Sequence, residues 1–226
     1  MSKKNIDLKA GQELRAFYFD LRAKENEEHG HFIEGRPIVF DQRTDMGWYD
    51  EEIAPEALAD CDMKDVRFLV NHNVDMIPLA RSRNNNANST MQMTVAEGGL
   101  DIRVDLDTEN NQESKSLYSA VGRGDVTGMS FMFSVRKAEW DESNPDHPVR
   151  RITSIAKIWE LSAVTWPAYE QTSITTRCSG ALDSAKEELE SLRREREEKK
   201  NAEERTKNAL LEAEARNREL DLLKYC

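Results

Sequence analysis

Apolar and polar positions alternate along much of the first 177 residues, the period of strands with one buried face. From Glu13 to Arg22, Phe17, Phe19 and Leu21 fall on one side and Ala16, Tyr18 and Asp20 on the other, predicting a first strand. Ala23 to His31 is polar and charged and reads as a loop. A second strand follows from Phe32 to Phe40, broken by Gly35 and Pro37, then a turn-rich connection from Asp41 to Gly47. Pro55, with Ile53, Ala54, Ala57 and Leu58 around it, marks a short helix. Val66, Phe68, Val70 and His72 share parity, so His72 closes the apolar face of a strand. Leu79–Arg83 is a short strand, and Asn84–Asn88 a loop. Met91, Met93 and Val95 alternate up to Glu97-Gly98-Gly99, a hairpin signal, and Leu100, Ile102, Val104 and Leu106 alternate beyond it.

The period changes from Thr108 to Val121, where Leu117, Ala120 and Val121 take helical spacing. Thr108 or Asn110 can cap this helix, and Gly122 or Gly124 can end it. Asp125 to Gly128 is a turn feeding a strand with Phe131, Phe133 and Val135 on one face and Ser130, Met132 and Ser134 on the other. After a polar loop from Ser143 to Val149, Ile152, Ile155, Ile158, Leu161 and Val164 form an apolar strand that Trp166–Tyr169 closes. By alternation alone, Glu160 in that strand turns to solvent. Strands dominate, giving an α+β, mainly β class.

After Arg177 the composition shifts. From Ala181 to Tyr225 there is no proline or glycine, and alanine, leucine, glutamate, lysine and arginine dominate, predicting one long C-terminal helix. Its seam of Leu182, Ala185, Leu189 and Leu192 runs into Arg196, Lys199 and Glu203 before Leu210, Ala213 and Leu220 restore it. A solvated helix and a partner-binding, self-associating coil fit equally well. The division is an N-terminal tail over 1–12, a globular domain over 13–177 and a charged helical extension over 178–226. No internal repeat is evident.

Charge narrows the function classes. Lys and Arg number 32 against 43 Asp and Glu, a net charge of −11. That balance argues against nucleic acid as the main partner, because phosphate binding uses clustered cations. Cys61, Cys178 and Cys226 are few and scattered, without metal-ligand spacing, which predicts reduced thiols. No apolar run follows the basic start, so no signal peptide is expected, and no window reaches membrane-spanning length. His29 and His31 flank a glycine without further ligands nearby and read as solvated loop residues. No metal and no cofactor is expected.

Three residues carry candidate chemistry: Ser130 at a strand mouth, His72 at a strand end and Glu160 within an apolar strand. A serine just after a glycine turn can expose its hydroxyl on a rigid backbone, though many ordinary strand serines do the same. Hydrolysis at serine needs an imidazole to remove its proton and an acceptor on the other ring nitrogen, a role glutamate can fill. No Gly-x-Ser-x-Gly elbow is present, which argues against an α/β-hydrolase.

From about Leu14 to Arg177 the chain resembles the prohead maturation serine proteases of tailed bacteriophages, relatives of the herpesvirus assemblins. The matching stretches are Gly35-Arg36 to Phe40, Glu52–Leu58, Phe68-Leu69-Val70-Asn71-His72, Leu117–Phe133 with Gly128-Met129-Ser130-Phe131, and Trp159–Tyr169. They stand in the family's order. The resemblance implies a herpesvirus-protease-like β-barrel with peripheral helices. It also implies Ser130 as nucleophile, His72 as general base and Glu160 as orienting acid. Two departures stand out: Asn73 where the family often has aspartate, and Met132 where it often has glycine. The implied substrates are the major capsid protein and a scaffold segment, cut inside the assembling prohead in the host cytoplasm, followed by the protease itself. A non-enzymatic capsid scaffold that works through its C-terminal helix is the competing reading.

Overall fold

The structure, a computed structural model, describes residues 11–18, 21–165 and 179–223. Side chains are described throughout these except at 17–18, 179–182, 210 and 214–223. Most of the expected N-terminal tail, the Trp166–Tyr169 closure, Cys178 and Cys226 lie outside the described residues.

In chain order the first strands are β1 (Glu13–Tyr18), β2 (Arg22–Asn26), β3 (Gly30–Val39), β4 (Thr44–Asp45) and β5 (Asp50–Ile53). Then come β6 (Asp65–Val70), β7 (Ala80–Arg83), β8 (Met91–Ala96) and β9 (Gly99–Asp105). Helix α1 (Gln112–Gly122) precedes the two longest strands, β10 (Gly128–Asp141) and β11 (Val149–Val164), and α2 (Ser179–Leu223) follows. Among the described residues the fold is mainly β with two α-helices, the second long and C-terminal. The chain divides into two compact units, Met1–Leu182 and Asp183–Cys226.

One sheet orders its strands β1-β10-β11-β5-β4, with β6 also pairing β11 and β7 pairing β6. The other orders them β2-β3-β9-β8. Ile33 and Ile38 of β3 and Leu100, Ile102 and Val104 of β9 join Phe131, Phe133, Ile155, Ile158 and Leu161 in one apolar core. Burying each such side chain contributes roughly 1.5–3 kcal/mol. Gly35 lets β3 approach β10, since a Cβ there would lie 2.6 Å from the Met129 sulfur. The expected hairpin forms at β8–β9, where Gly99 has φ +148° and a Cβ would meet the Ile38 carbonyl oxygen at 2.0 Å.

Several local expectations change. The polar segment from Ala23 to His31 is a hairpin, not a loop: β2 pairs antiparallel with β3. As an edge strand whose side chains are mostly exposed, β2 has no apolar face to alternate. The helix at Pro55 is a single 3-10 turn over Pro55–Leu58, preceded by β5. The cap of α1 is Asn111, neither Thr108 nor Asn110. Its side chain accepts from the N–H groups of Glu113 and Ser114, while Asp107 holds Asn110 in the turn before.

In β10 and β11 the pairing slips at four places, three of which give β11 an extra residue opposite β10. One slip pairs Met132 with Glu160 and Phe133 with Ile158, leaving Trp159 as the additional residue. These bulges convert a period of two into the i, i+3 spacing of Ile152, Ile155 and Ile158. They also reverse the outcome expected for Glu160: its side chain is buried, and Trp159 is 38% exposed.

Candidate active site

Glu160 and Ser162 lie two residues apart in β11 and therefore on one face. Across the ladder, Ser130 stands opposite Ser162 and Met132 opposite Glu160. On the other side of β11, β6 runs parallel, pairing Leu69 with Ser162 and Val70 with Ala163. That register carries the chain past Val70 directly into the residues beside Glu160.

There the backbone turns sharply. Asn71 and His72 both take left-handed conformations, with φ 52° and 57°. Two such non-glycine residues in succession are strained and need outside support. The Asn71 N–H donates to the Ala163 carbonyl at 2.9 Å, and the Asn71 side-chain oxygen accepts from the Thr165 N–H at 3.0 Å. The His72 N–H donates to Ser162 Oγ at 3.1 Å.

So held, His72 places Nδ1 2.5 Å from Glu160 Oε1. An ionised carboxylate can only accept, so Nδ1 carries the proton and Nε2 is left as the basic nitrogen. Nε2 has no hydrogen-bond partner among the described residues. The second carboxylate oxygen accepts from Ser162 Oγ at 2.6 Å. Glu160 is 3% exposed, so the burial that makes its charge costly is offset by donors at both oxygens.

Ser130 is placed differently from its expectation. It is 1% exposed, and its Oγ donates to the Arg15 carbonyl of β1 at 2.6 Å. β10 lies between β1 and β11, and every residue from Gly128 to Phe133 is buried, so the strand has no open mouth here. Two-sided pairing also commits the N–H groups of Met129–Phe131 to the ladders. They are not free as oxyanion donors. Met132 is buried on the face of Ser130.

The carbonyl that holds Ser130 belongs to a strand fixed by charge. Arg15 and Arg150 lie among Glu13 and Glu51, and all four residues are buried. Arg15 Nη2 is 2.7 Å from Glu13 Oε2, and its Nε donates to Glu51. Arg150 Nη1 bonds Glu13 and Glu51, each at 3.0 Å. Burial alone would push the Glu13 carboxyl up. The neighbouring Arg15 and Arg150 more than reverse this and hold it below the usual carboxylate value of 4.5.

Other candidates contribute little chemistry. Burial pushes the Cys61 thiol up to about 11, leaving almost no thiolate at neutral pH. Asp45, Asp50 and His147 bring three ligand atoms within 4.8 Å of one another, with His147 Nε2 2.9 Å from Asp50 Oδ1. They stand at the β4–β5 edge as a histidine–carboxylate pair. Sequence reasoning singled out His72, Ser130 and Glu160, and missed Ser162 as a participant. The Glu-x-Ser spacing was its only local signal.

Residues 18–187 match a family model described as caudovirus prohead serine protease. No curated protein and no solved structure matches the chain.

Proposed function

The chain belongs to the caudovirus prohead serine protease family, and from that premise we propose that Ser130, His72 and Glu160 form its catalytic triad. The coarse role, a serine protease of phage prohead maturation acting on capsid-related protein, follows from the family. The observation that carries the residue assignment is the His72 Nδ1–Glu160 Oε1 bond of 2.5 Å, with Ser162, one ladder step from Ser130, on the same face of β11 as Glu160. Residues directly opposite in an antiparallel pair have Cα atoms roughly 4.5–5.5 Å apart. Ser162 marks the imidazole side of that step, because it binds the His72 backbone.

In this mechanism Ser130 changes its χ1 well, releasing the Arg15 carbonyl and turning Oγ toward His72 Nε2. Nε2 takes the hydroxyl proton as Oγ attacks the scissile carbonyl carbon. Glu160 fixes the tautomer and stabilises the imidazolium. As the C–N bond breaks, the proton passes to the leaving amine, and water hydrolyses the acyl-enzyme by the same route in reverse. Met132 shares the face of Ser130 and narrows the space for the substrate side chain at the cut.

The substrates are the coat protein and a scaffold segment, followed by the protease itself, within the assembling prohead. No described helix is long and apolar enough to cross a membrane. Beyond residue 192 every described side chain of α2 is exposed, as a handle for packaging with coat or scaffold helices requires. Removing residues 193–226 should leave peptide cleavage at the full-length rate and lower the number of protease copies per particle. Quantitative immunoblotting of purified proheads checks this, and unchanged incorporation would refute the handle.

The triad is tested with diisopropyl fluorophosphate. Ser130 Oγ forms a bond to phosphorus, fluoride leaves, and the hydroxyl proton goes to His72. Peptide mapping should find the adduct on Ser130, with labelling about 10²–10⁴-fold slower in His72→Gln. An adduct elsewhere, or labelling unaffected by that substitution, would remove the assignment.

A further inference from the structure

We propose that Ser162 is a positioning residue that aligns the imidazole and the carboxylate through one hydroxyl. This rests on the His72–Glu160 reading of the site. Ser162 is fully buried, so water does not compete for its hydroxyl. The O–H donates to Glu160 Oε2 at 2.6 Å, and a lone pair accepts the His72 N–H at 3.1 Å. One atom therefore ties together two groups that lie 88 residues apart in the chain.

Each bond limits a different freedom. The terminal torsion of a glutamate is broad, and an anchor on only one oxygen leaves the carboxylate plane free to swing. Ser162 holds Oε2 while His72 holds Oε1, so the plane is fixed relative to the ring. At the histidine the strain is in the backbone, where Asn71 and His72 both have positive φ. The Asn71 amide and side chain are held by Ala163 and Thr165, but the His72 N–H has only Ser162. Losing that acceptor leaves a partly buried N–H unpaired at the strained residue whose ring must meet Ser130. Ser162 does not itself act as nucleophile in this arrangement, because its proton is directed at a carboxylate and not at an imidazole.

The test uses the full chain with Ser162→Ala and Ser162→Thr, the latter keeping the oxygen. Inactivation by diisopropyl fluorophosphate is resolved into the binding constant and the maximal rate. Ser162→Ala should leave the binding constant within about twofold and slow the maximal rate by about 10²-fold, the scale of a 1 Å misplacement. Ser162→Thr should recover most of that rate.

Proton NMR supplies a second readout. The His72 Nδ1–H, bonded to a carboxylate, should resonate downfield of the amides and vanish in His72→Gln. In Ser162→Ala it should shift upfield or broaden while the methyl spectrum stays native. If the alanine variant does not fold, Ser162→Cys, nearly isosteric but a weak hydrogen-bonding group, carries the same expectations. A wild-type rate with an unmoved resonance in a folded variant overturns the positioning role. So does a rate loss that only tracks the unfolded fraction. His72→Gln and Glu160→Gln run in parallel: if they keep wild-type labelling, the triad reading falls, and if they lose it while Ser162→Ala does not, only the role of Ser162 falls.

Discussion

Ser130→Ala is expected to lower coat-protein cleavage by about 10⁴–10⁶-fold, since members of a catalytic triad act as a unit. The substitution removes one oxygen from a site where the hydroxyl's recorded bond is to the Arg15 carbonyl. Losing that bond costs about 1 kcal/mol, and the ladders on either side of β10 are untouched. The variant should therefore fold with a nearly unchanged urea midpoint, and the activity loss reports chemistry. The measurement is intact mass of the chain and of coat protein after co-expression, wild type beside variant. Trimmed coat protein in the presence of folded Ser130→Ala would establish that another group does the cutting, or that the chain works as a scaffold.

Arg150→Met is expected to destabilise the fold by about 3–5 kcal/mol, read as a lower urea midpoint with the slope unchanged. Two guanidinium groups and two carboxylates balance one another where water is excluded. Removing one cation leaves a net negative charge in that space, and Glu13 and Glu51 each lose a donor at 3.0 Å. The pH dependence follows from Glu13, whose carboxyl is held below 4.5 in the folded protein. A depressed carboxyl adds stability above its unfolded value, and that stability is lost as the pH falls through the folded value. Wild-type protein should therefore lose stability progressively below about pH 4.5. The deficit of Arg150→Met should shrink over the same range, because a protonated Glu13 no longer needs a counter-charge. A deficit that stays constant from pH 7 to pH 3 would show that lost packing, not charge, is responsible.

The β8–β9 hairpin could be read from the chain because it has one wet face and one dry face, and a glycine sits where φ is +148°. His72 was read as closing the apolar face of a strand, whereas β6 ends at Val70 and His72 lies in the turn beyond it at φ 57°. The edge strand Arg22–Asn26 was not legible, since with most of its side chains in water it carries no periodic signal. Glu160 was misplaced by simple alternation because bulges insert residues into β11, and each insertion flips the faces beyond it. The cap of α1 was missed by one position because Asp107 already closes the preceding turn. Ser130 was read as open to solvent because nothing near it predicts β1 on one side and β11 on the other. Those partners lie more than a hundred residues before it and about thirty after it. Pairing of β6 with β11, which brings the imidazole to the carboxylate, is long-range in the same way and leaves no local trace.

Strand β11 also times the molecule's own synthesis. β5, β6 and β10 pair with it directly, and β1 reaches it through β10. Contacts of such long sequence separation form slowly and cannot begin before their last member exists. A ribosome adding about 5–20 residues per second makes His72 roughly 4–18 s before it reaches Glu160. A nascent or prematurely terminated chain that stops short of β11 holds the imidazole and the hydroxyl but has nothing to bring them together. On the proposed triad such fragments are expected to be inert, with cleavage coming only from chains translated past β11.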